Sequence, residues 1–345
     1  MKKLLAIFLG SIISLSAFAT KDEFVGFYKG DIEGFTKLPY AITKTVYAEV
    51  YRLGDNYRLR IQPKIMARAD TYYLKENLKA KDGKISFEGH SLDFKLSGSI
   101  TPEELKATGT QGKTKVSMSL KRYSPHIEAM GAKAPKDAIV IFDGKDMSKL
   151  EHAGNIPSLW TLEDGAMIAK TDAKNSAGKP MRTSIYTKEA FDGAFKLHVE
   201  FRIPTEEYHL LGQKRNNSGV FMGDYEVQIL DSFGLESQFN DCGSIYRQSP
   251  PYVNACLEPG AWQCYDITFY PPEFDENGKP IKDPVISVYQ NGVKVQSDTI
   301  VPTTTTGGTE RAAKYTHVQG ARKLMFQEHT NKIAFRNIWL LPIEK

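Results

Sequence analysis

Three polar residues in the stretch NSGVFMGDYEVQILD, residues 217–231, have the types and spacing that sugar chemistry needs. Two extended segments joined by a Gly-Asp turn make up this stretch, and the second carries Glu226, Gln228 and Asp231. Side chains alternate across a strand, so Glu226 and Gln228 share one face, and a one-residue bulge would bring Asp231 to it. Such a strand could fix the acid and base of a sugar-cleaving site. An edge strand with a solvated acidic face would show the same pattern, so the pattern alone leaves both interpretations open.

A second candidate segment is LMFQEHTN, residues 324–331. Its alternation predicts Gln327 and His329 on one strand face and Phe326 and Glu328 on the other. Histidine is the side chain whose charge changes nearest neutral pH, so His329 could serve as a general base. A structural role is the alternative for a single histidine.

Aromatic and charged side chains outside these segments could line a cleft for a sugar. Tyrosine and tryptophan rings stack on sugar rings while their polar edges donate hydrogen bonds, although Trp262 also fits a place in the core. Arg336 interrupts an apolar strand, and either a buried salt bridge to a carboxylate such as Glu226 or a substrate contact would explain it. The residues predicted to line the cleft are Asn217, Gln228, Tyr246, Arg247, Trp262 and Gln327.

The elements that position these residues are β-strands throughout. Short alternating strands with Gly-containing turns over residues 20–125 predict a small all-β unit, either a barrel or a sandwich. Residues 126–137 have little periodicity and predict a linker, so the two units should be separable. Longer strands and long turn-rich loops over residues 138–345 predict two packed sheets, a jelly roll. Loops of that length usually form a binding or catalytic rim.

The N-terminus has the pattern of a signal peptide, residues 1–19. Lys2-Lys3 precede an apolar run, and Ala17-Phe18-Ala19 ends it, which predicts a mature chain from Thr20. Because Thr20 is not cysteine, we expect no lipid anchor, and no later run is apolar enough to span a bilayer. The expected location is the periplasm or the exterior of the cell.

The charge balance argues against a nucleic-acid partner. The sequence has 45 basic and 41 acidic residues, and removal of Lys2 and Lys3 leaves 43 against 41. Because the two counts are nearly equal, they indicate no basic face of the kind that nucleic-acid binding requires.

The three cysteines are Cys242, Cys256 and Cys264. An oxidising compartment permits a disulfide, and Cys242 and Cys256 lie in loop-like sequence that such a bond could close. Cys264 lies in the strand-like run WQCYDITFY and is expected to be a small buried residue. Their spacing has no metal-site signature.

Several motifs follow one another in the order of a known family. They include IVIFDGKDMSKL, NNSGVFM, YEVQILDS, CGSIY, LMFQEH and FRNIWLLP. The segment from Ala138 to Lys345 resembles the 3-keto-disaccharide hydrolase domain family, which implies a concanavalin-like jelly roll similar to laminarinase-type glucanases. The family usually ends one strand with Q-D-H-G, where this chain has Gln327-Glu328-His329-Thr330. The missing glycine could reshape the loop beside His329.

The resemblance implies an enzyme acting on oxidised sugars. A ring ketone acidifies the hydrogen on the neighbouring carbon, and its removal lets the glycosidic oxygen leave by β-elimination, after which water can add. In this scheme His329 is the base and either Glu226 or Asp231 is the acid. The residues that would orient the oligosaccharide or glycoside substrate are Gln228, Gln327 and Asn217.

Two alternatives remain beside this scheme. Glucanases carry E-x-D-x-(x)-E on the active strand, and Gln228 and Asp231 depart from it, which disfavours ordinary double-carboxylate hydrolysis. A lectin-like module without catalysis is the other alternative, since a fold alone does not fix a function. A divalent metal held by carboxylate and histidine ligands could stabilise the enolate, but no spacing identifies its ligands.

Overall fold

The structure is a computed structural model that describes residues 21–34, 44–154, 156–205, 210–305 and 317–344. It confirms the all-β prediction, with about half of the chain in strands and one short 3-10 helix, Gly212–Lys214, in the described ranges. The predicted signal peptide and Thr20 lie outside them. No helix within these ranges is long and apolar enough to cross a bilayer.

Nine antiparallel strands form the N-terminal unit, in the order β4-β3-β2-β1-β9-β8-β7-β6-β5. They are β1 Gly26–Glu33, β2 Thr45–Leu53, β3 Asn56–Gln62, β4 Tyr73–Leu78, β5 Ala80–Lys81, β6 Lys84–Ser91, β7 Phe94–Ile100, β8 Glu104–Gln111 and β9 Thr114–Tyr123. The amide of Leu74 in β4 donates to Ser91 Oγ in β6 at 3.1 Å, so the sheet closes almost completely on itself. Of the two predicted shapes, the unit is therefore a barrel rather than a sandwich.

Two sheets packed face to face form the second unit, as the sequence predicts. The eight-stranded sheet contains β10 Ile139–Phe142, β13 Thr161–Glu163, β14 Ala166–Ile168, β16 Phe195–Arg202, β19 Trp262–Tyr270, β22 Val285–Gln290, β23 Val293–Ile300 and β25 Ala334–Pro342. The six-stranded sheet contains β11 Leu150–His152, β12 Ile156–Pro157, β15 Ile185–Thr187, β17 Ser218–Met222, β18 Tyr225–Ile229 and β24 Leu324–Phe326. A separate small ribbon pairs β20 Glu273–Phe274 with β21 Pro280–Lys282.

The core between the two sheets fixes which face of β18 is free for chemistry. Tyr225, Val227 and Ile229 point into the core and are at most 1% exposed. Burial of each such side chain contributes roughly 1.5–3 kcal/mol, so a register slip that turned them outward would be strongly disfavoured. Glu226 and Gln228 therefore project from the opposite face of the six-stranded sheet, which we call the polar face.

The sandwich contributes side chains to the core of the barrel. Phe233 and Leu257 of the sandwich belong to the apolar cluster of the barrel, and the Phe233 ring meets Phe27 edge-on with centroids 5.0 Å apart. The Arg215 guanidinium donates to the carbonyl of Arg52 in β2 at 2.9 Å. The predicted separability therefore has no support in the contacts, because a sandwich expressed alone would expose apolar surface that the barrel covers.

The predicted linker is held against the sandwich. The amide of Gly131 donates to Glu200 Oε1 at 2.6 Å, and the carbonyl of Ala132 accepts from Asn337 Nδ2 at 3.0 Å and from Trp339 Nε1 at 3.3 Å. Residues without periodicity can thus still be ordered when side chains of a neighbouring sheet satisfy their backbone groups.

The three cysteines are all buried free thiols. The predicted disulfide between Cys242 and Cys256 is not formed in this structure, although their side chains are hydrogen-bonded neighbours. The Cys242 sulfur also lies 3.1 Å from the Tyr265 hydroxyl and accepts from Gln290 Nε2 at 3.3 Å, so the reduced thiol has polar partners. Cys264 has no exposed surface, in agreement with its predicted buried position.

Candidate active site

The polar face brings together residues from three neighbouring strands. In the β17–β18 pair, Phe221 lies opposite Glu226 and Gly219 lies opposite Gln228. On the other side of β17, the amide of Gln327 donates to the carbonyl of Gly219 at 3.0 Å. Gln327 is thus two strands away from Gln228, or about 10 Å at the usual strand spacing.

Gly219 makes room for the carboxyl group of Glu226. A Cβ atom at this position would lie 2.3 Å from Glu226 Oε1 and 2.9 Å from the Phe221 ring. Glycine is the residue that permits so close an approach to the backbone. The strand sequence NSGVFM therefore positions the Glu226 carboxyl against β17.

Burial raises the pKa of the Glu226 carboxyl to about 8. The residue is 6% exposed, and no charged group among the described residues contributes to the shift. Desolvation penalises the ionised form, so at neutral pH the carboxyl mostly holds its proton. A protonated carboxyl on this face can donate to a leaving oxygen.

A network of hydrogen-bonded amides lies beside Glu226 on the polar face. Gln228 is 1% exposed, and its Nε2 donates to Gln213 Oε1 at 3.0 Å. Asn217 is 4% exposed and donates to the same oxygen at 3.1 Å, while Gln213 Nε2 donates to the carbonyl of Asn240 at 2.9 Å. Asn217 and Gln228, which the sequence predicts as substrate ligands, thus use their side chains within the protein. Gln213 lies in the short 3-10 helix Gly212–Lys214, and no sequence pattern marks it.

Asp231 lies apart from the polar face. Its Oδ2 accepts from Arg215 Nη2 at 2.8 Å, its carbonyl accepts from Arg215 Nε at 2.8 Å, and both side chains are at most 2% exposed. The strand ends at Ile229, and no bulge returns the Asp231 carboxylate to the side of Glu226. Of the two predicted acids, Asp231 is held in a buried ion pair, whereas burial alone acts on the Glu226 carboxyl.

His329 lies just after the end of β24, in a half-buried position. Burial, assisted by the nearby Arg182 guanidinium, holds the pKa of its imidazole below the usual histidine range. The ring is therefore neutral at pH 7 and able to accept a proton. Burial alternates as predicted, with Phe326 and Glu328 buried and Gln327 and His329 partly exposed.

Glu328 anchors the turn that carries His329. Its Oε2 accepts from the amide of Thr183 at 3.3 Å, and its Oε1 accepts from the amide of Thr330 at 2.5 Å and lies 3.5 Å from Arg182 Nη1. The residue at this position is therefore a structural carboxylate that fixes the turn.

Thr330 stands where the Q-D-H-G pattern has glycine, and it adopts the left-handed conformation, with φ of 71°. A β-branched residue is strained there. We expect Thr330→Gly to raise the free energy of unfolding by roughly 0.5–1 kcal/mol, because the relief of strain exceeds the entropy cost of glycine. Thr330→Asn should also stabilise and the nearly isosteric Thr330→Val should not, as judged from urea unfolding midpoints. A less stable glycine variant would show that the Thr330 hydroxyl bond to the His329 carbonyl outweighs the strain.

Tyr246 and Arg247, which the sequence predicts to line a cleft, lie beside β18. The amide of Tyr246 donates to the carbonyl of Glu226 at 3.1 Å, and Ile245 bridges to Val227 on the core side. Tyr246 therefore faces the same side as Glu226. The Arg247 guanidinium lies 5.4 Å from the centre of the Tyr246 ring.

Trp262 lies on the other sheet, on the face of β19 that points away from the core. The Arg202 and Arg336 guanidinium groups lie 4.9 and 4.0 Å from the centre of its ring. Arg336 also donates to Glu200 Oε2 at 2.7 Å, so its salt bridge is partly buried and is made with Glu200 and not with Glu226. The structure thus separates Trp262 and Arg336 from the polar face.

A metal site does not emerge from the described part of the chain. No group of three or more histidine, cysteine, aspartate or glutamate side chains there is placed to hold a metal ion.

The match to a family model and the similarity to a solved structure support a carbohydrate-active enzyme of the glycoside hydrolase type. Residues 137–341 match the family model described as a 3-keto-alpha-glucoside-1,2-lyase-like domain, and the chain belongs to this family. The structure is similar to a candidate glycosyl hydrolase from Parabacteroides distasonis at 36% identity and a TM-score of 0.51, covering 61% of this chain and 85% of that one. A second candidate glycosyl hydrolase from this organism shares 19% identity with a TM-score of 0.44, covering 60% and 94%. No curated protein matches the chain significantly.

Proposed function

We propose that this protein cleaves glycosides whose sugar ring carries a ketone at C3, by base-initiated β-elimination. The observation that carries the proposal is the buried carboxyl of Glu226, whose pKa burial raises to about 8, on the same sheet face as Gln327, two residues before the half-buried His329. An acid and a base that are each in the required form at neutral pH suit this reaction. The family match points to the same substrate class.

The residues divide the reaction between them. His329 takes the proton from the carbon next to the ketone, and the electron pair enters the enolate. As the enolate collapses, the bond from the anomeric carbon to the glycosidic oxygen breaks, and Glu226 gives its proton to that oxygen. Water can then add to the double bond, which makes the net reaction a hydrolysis.

Gln327 is the residue best placed to bind the sugar directly. Its Oε1 is buried and has no hydrogen-bond partner among the described residues. An unsatisfied buried acceptor costs free energy, and a sugar hydroxyl that donates to it would remove this cost. Tyr246 and Arg247 would add a ring face and a donor at the rim.

The test of the proposal is incubation with a glucoside and with its 3-keto derivative. We expect cleavage of the keto form alone, detected as release of the aglycone. Cleavage of both would identify an ordinary glycoside hydrolase, and binding without turnover would identify a lectin-like protein.

Glu226→Gln is expected to lower turnover of a 3-keto glycoside with a poor leaving group by roughly a hundred- to ten-thousandfold. A substrate with a good leaving group needs little acid assistance and should lose much less. In the unmodified protein the acid form exists below the Glu226 pKa of about 8, so turnover of the poor substrate should fall as the pH rises through that value. The variant should lack this alkaline limb. The control is Glu163→Gln on the exposed strand β13, and equal losses on both substrates would remove Glu226 from the acid role.

We further infer that the protein is exported, on the basis of the signal-like N-terminus. N-terminal sequencing of the exported chain should begin at Thr20. Exported protein that keeps an intact N-terminus, or that carries a lipidated one, would overturn the predicted cleavage.

A further inference from the structure

The Gln228 side-chain amide has oxygen atoms as neighbours at both of its ends. One end lies 3.0 Å from Gln213 Oε1 and 3.3 Å from the carbonyl of Asn240. The other end lies 3.0 Å from Glu226 Oε1 and 2.7 Å from the carbonyl of Ser218. An amide has a donor at one end and an acceptor at the other, and all four of these neighbours are oxygens, so only one end at a time is fully satisfied.

The first orientation suits a protonated Glu226. Gln213 is fixed by its own donation to the carbonyl of Asn240, so its Oε1 is an acceptor and favours the Nε2 end of Gln228. The Gln228 oxygen then faces Glu226, and a protonated carboxyl can donate to it. Its contact with the Ser218 carbonyl oxygen stays unfavourable.

The second orientation suits an ionised Glu226. The Gln228 Nε2 then donates to Glu226 Oε1 and to the carbonyl of Ser218, while its oxygen meets Gln213 Oε1 and the carbonyl of Asn240. Each orientation thus satisfies one end of the amide and leaves the amide oxygen against an acceptor at the other: the Ser218 carbonyl in the first, and Gln213 Oε1 and the Asn240 carbonyl in the second. The balance is decided by whether Glu226 carries a proton.

We propose that Gln228 is a positioning residue that turns its amide when Glu226 loses or regains its proton. This role rests on the proposed function for its place in the reaction. When the Glu226 proton passes to the glycosidic oxygen and the bond to the anomeric carbon breaks, a carboxylate remains. Gln228 Nε2 then donates to that carboxylate, and reprotonation from water restores the first orientation. The sequence position where a glucanase has its second carboxylate thus holds an amide that serves both forms of the acid.

None of the other groups around Glu226 governs whether its carboxyl is ionised. From β17 the neighbours are Gly219 and Phe221, and Thr305 Oγ1 accepts from the backbone amide of Glu226 at 2.8 Å. The titratable groups on the elements packed against it are Asp224 at the β17–β18 turn and Tyr246 and Arg247 on the flanking loop. Burial alone accounts for the Glu226 shift, so none of these three groups governs its ionisation.

The experiment follows the side-chain amide resonances of Gln228 in the free protein as the pH is raised through 8, by NMR with labelled glutamine. We expect both amide signals to move with the same midpoint as the Glu226 carboxyl, and the movement to vanish in Glu226→Gln. Gln296, a buried amide that donates to the carbonyls of Gly243 and Ser249, is the internal control and should not move. Gln228 signals that stay constant while Glu226 titrates would overturn the proposal.

A second variant tests the catalytic consequence. Gln228→Met keeps the side-chain length and removes both polar ends. The ionised form of Glu226 loses the stronger bond, so its midpoint should rise by about one pH unit, with a roughly tenfold lower kcat and an unchanged KM on a poor leaving group. If KM rose by the same factor as kcat fell, the role of Gln228 would be merely structural. Because the resonance experiment uses no substrate, its outcome is independent of whether the protein cleaves 3-keto glycosides.

Discussion

His329→Ala is expected to lower turnover of a 3-keto glycoside by at least about a hundredfold, the usual contribution of a positioned base. The imidazole is neutral at pH 7 because burial and Arg182 depress its pKa, so its removal deletes the acceptor for the substrate proton. The base form exists above that pKa, and the acid limb of the pH profile should therefore lie below the ordinary histidine range. Substrate affinity should survive, because Gln327 and Tyr246 remain in place.

The control for this variant is His90→Ala, an exposed histidine in β6 of the barrel. It should leave kcat and KM unchanged. Added imidazole should restore part of the turnover of His329→Ala by entering the space of the lost ring. Near-normal turnover without imidazole would assign His329 a structural role and leave the reaction without its base.

Asp231→Asn is expected to lower the free energy of unfolding by about 3–5 kcal/mol, because it leaves the buried Arg215 guanidinium without its counter-charge. The pair joins the segments that flank both active-site strands, since Arg215 precedes β17 and Asp231 follows β18. Arg215 also bonds to the barrel through the carbonyl of Arg52. The loss should therefore be felt in the barrel as well as in the sandwich.

Urea unfolding of both proteins measures the effect, with Glu273→Gln as the matched control. Glu273 pairs with Lys282 at the surface, where both side chains are 58% exposed, and its replacement should change stability by less than about 0.5 kcal/mol. Similar values for the two variants would mean that water or a shifted side chain compensates Arg215.

The alternation of β17, β18 and the segment after β24 was predictable because side-chain periodicity and the hairpin turn determine it. The strand faces of Glu226 and Gln228 and the burial alternation that leaves His329 partly exposed were predicted in this way. Short-range patterns suffice when a residue's position depends on its own strand.

The errors arose where a long-range partner decides the outcome. Asp231 fits the strand pattern, but its partner Arg215 lies in an irregular segment that carries no signal. Trp262 has the chemistry of a sugar platform, and only the sheet order shows that it lies on the opposite sheet. Gln213 escaped notice for the same reason, since its value comes from the amides that surround it in space.

The packing of two sandwich residues in the core of the barrel also affects the order in which the chain can fold. All nine barrel strands are complete at Tyr123, long before synthesis reaches Phe233 and Leu257. Until Phe233 and Leu257 are synthesised, the apolar surface that they cover in the barrel, including Phe27, stays exposed to water. Intermediates with exposed apolar surface aggregate readily. The risk of aggregation is therefore greatest during synthesis, after the barrel strands are complete and before the segment that contains Phe233 and Leu257 has been made.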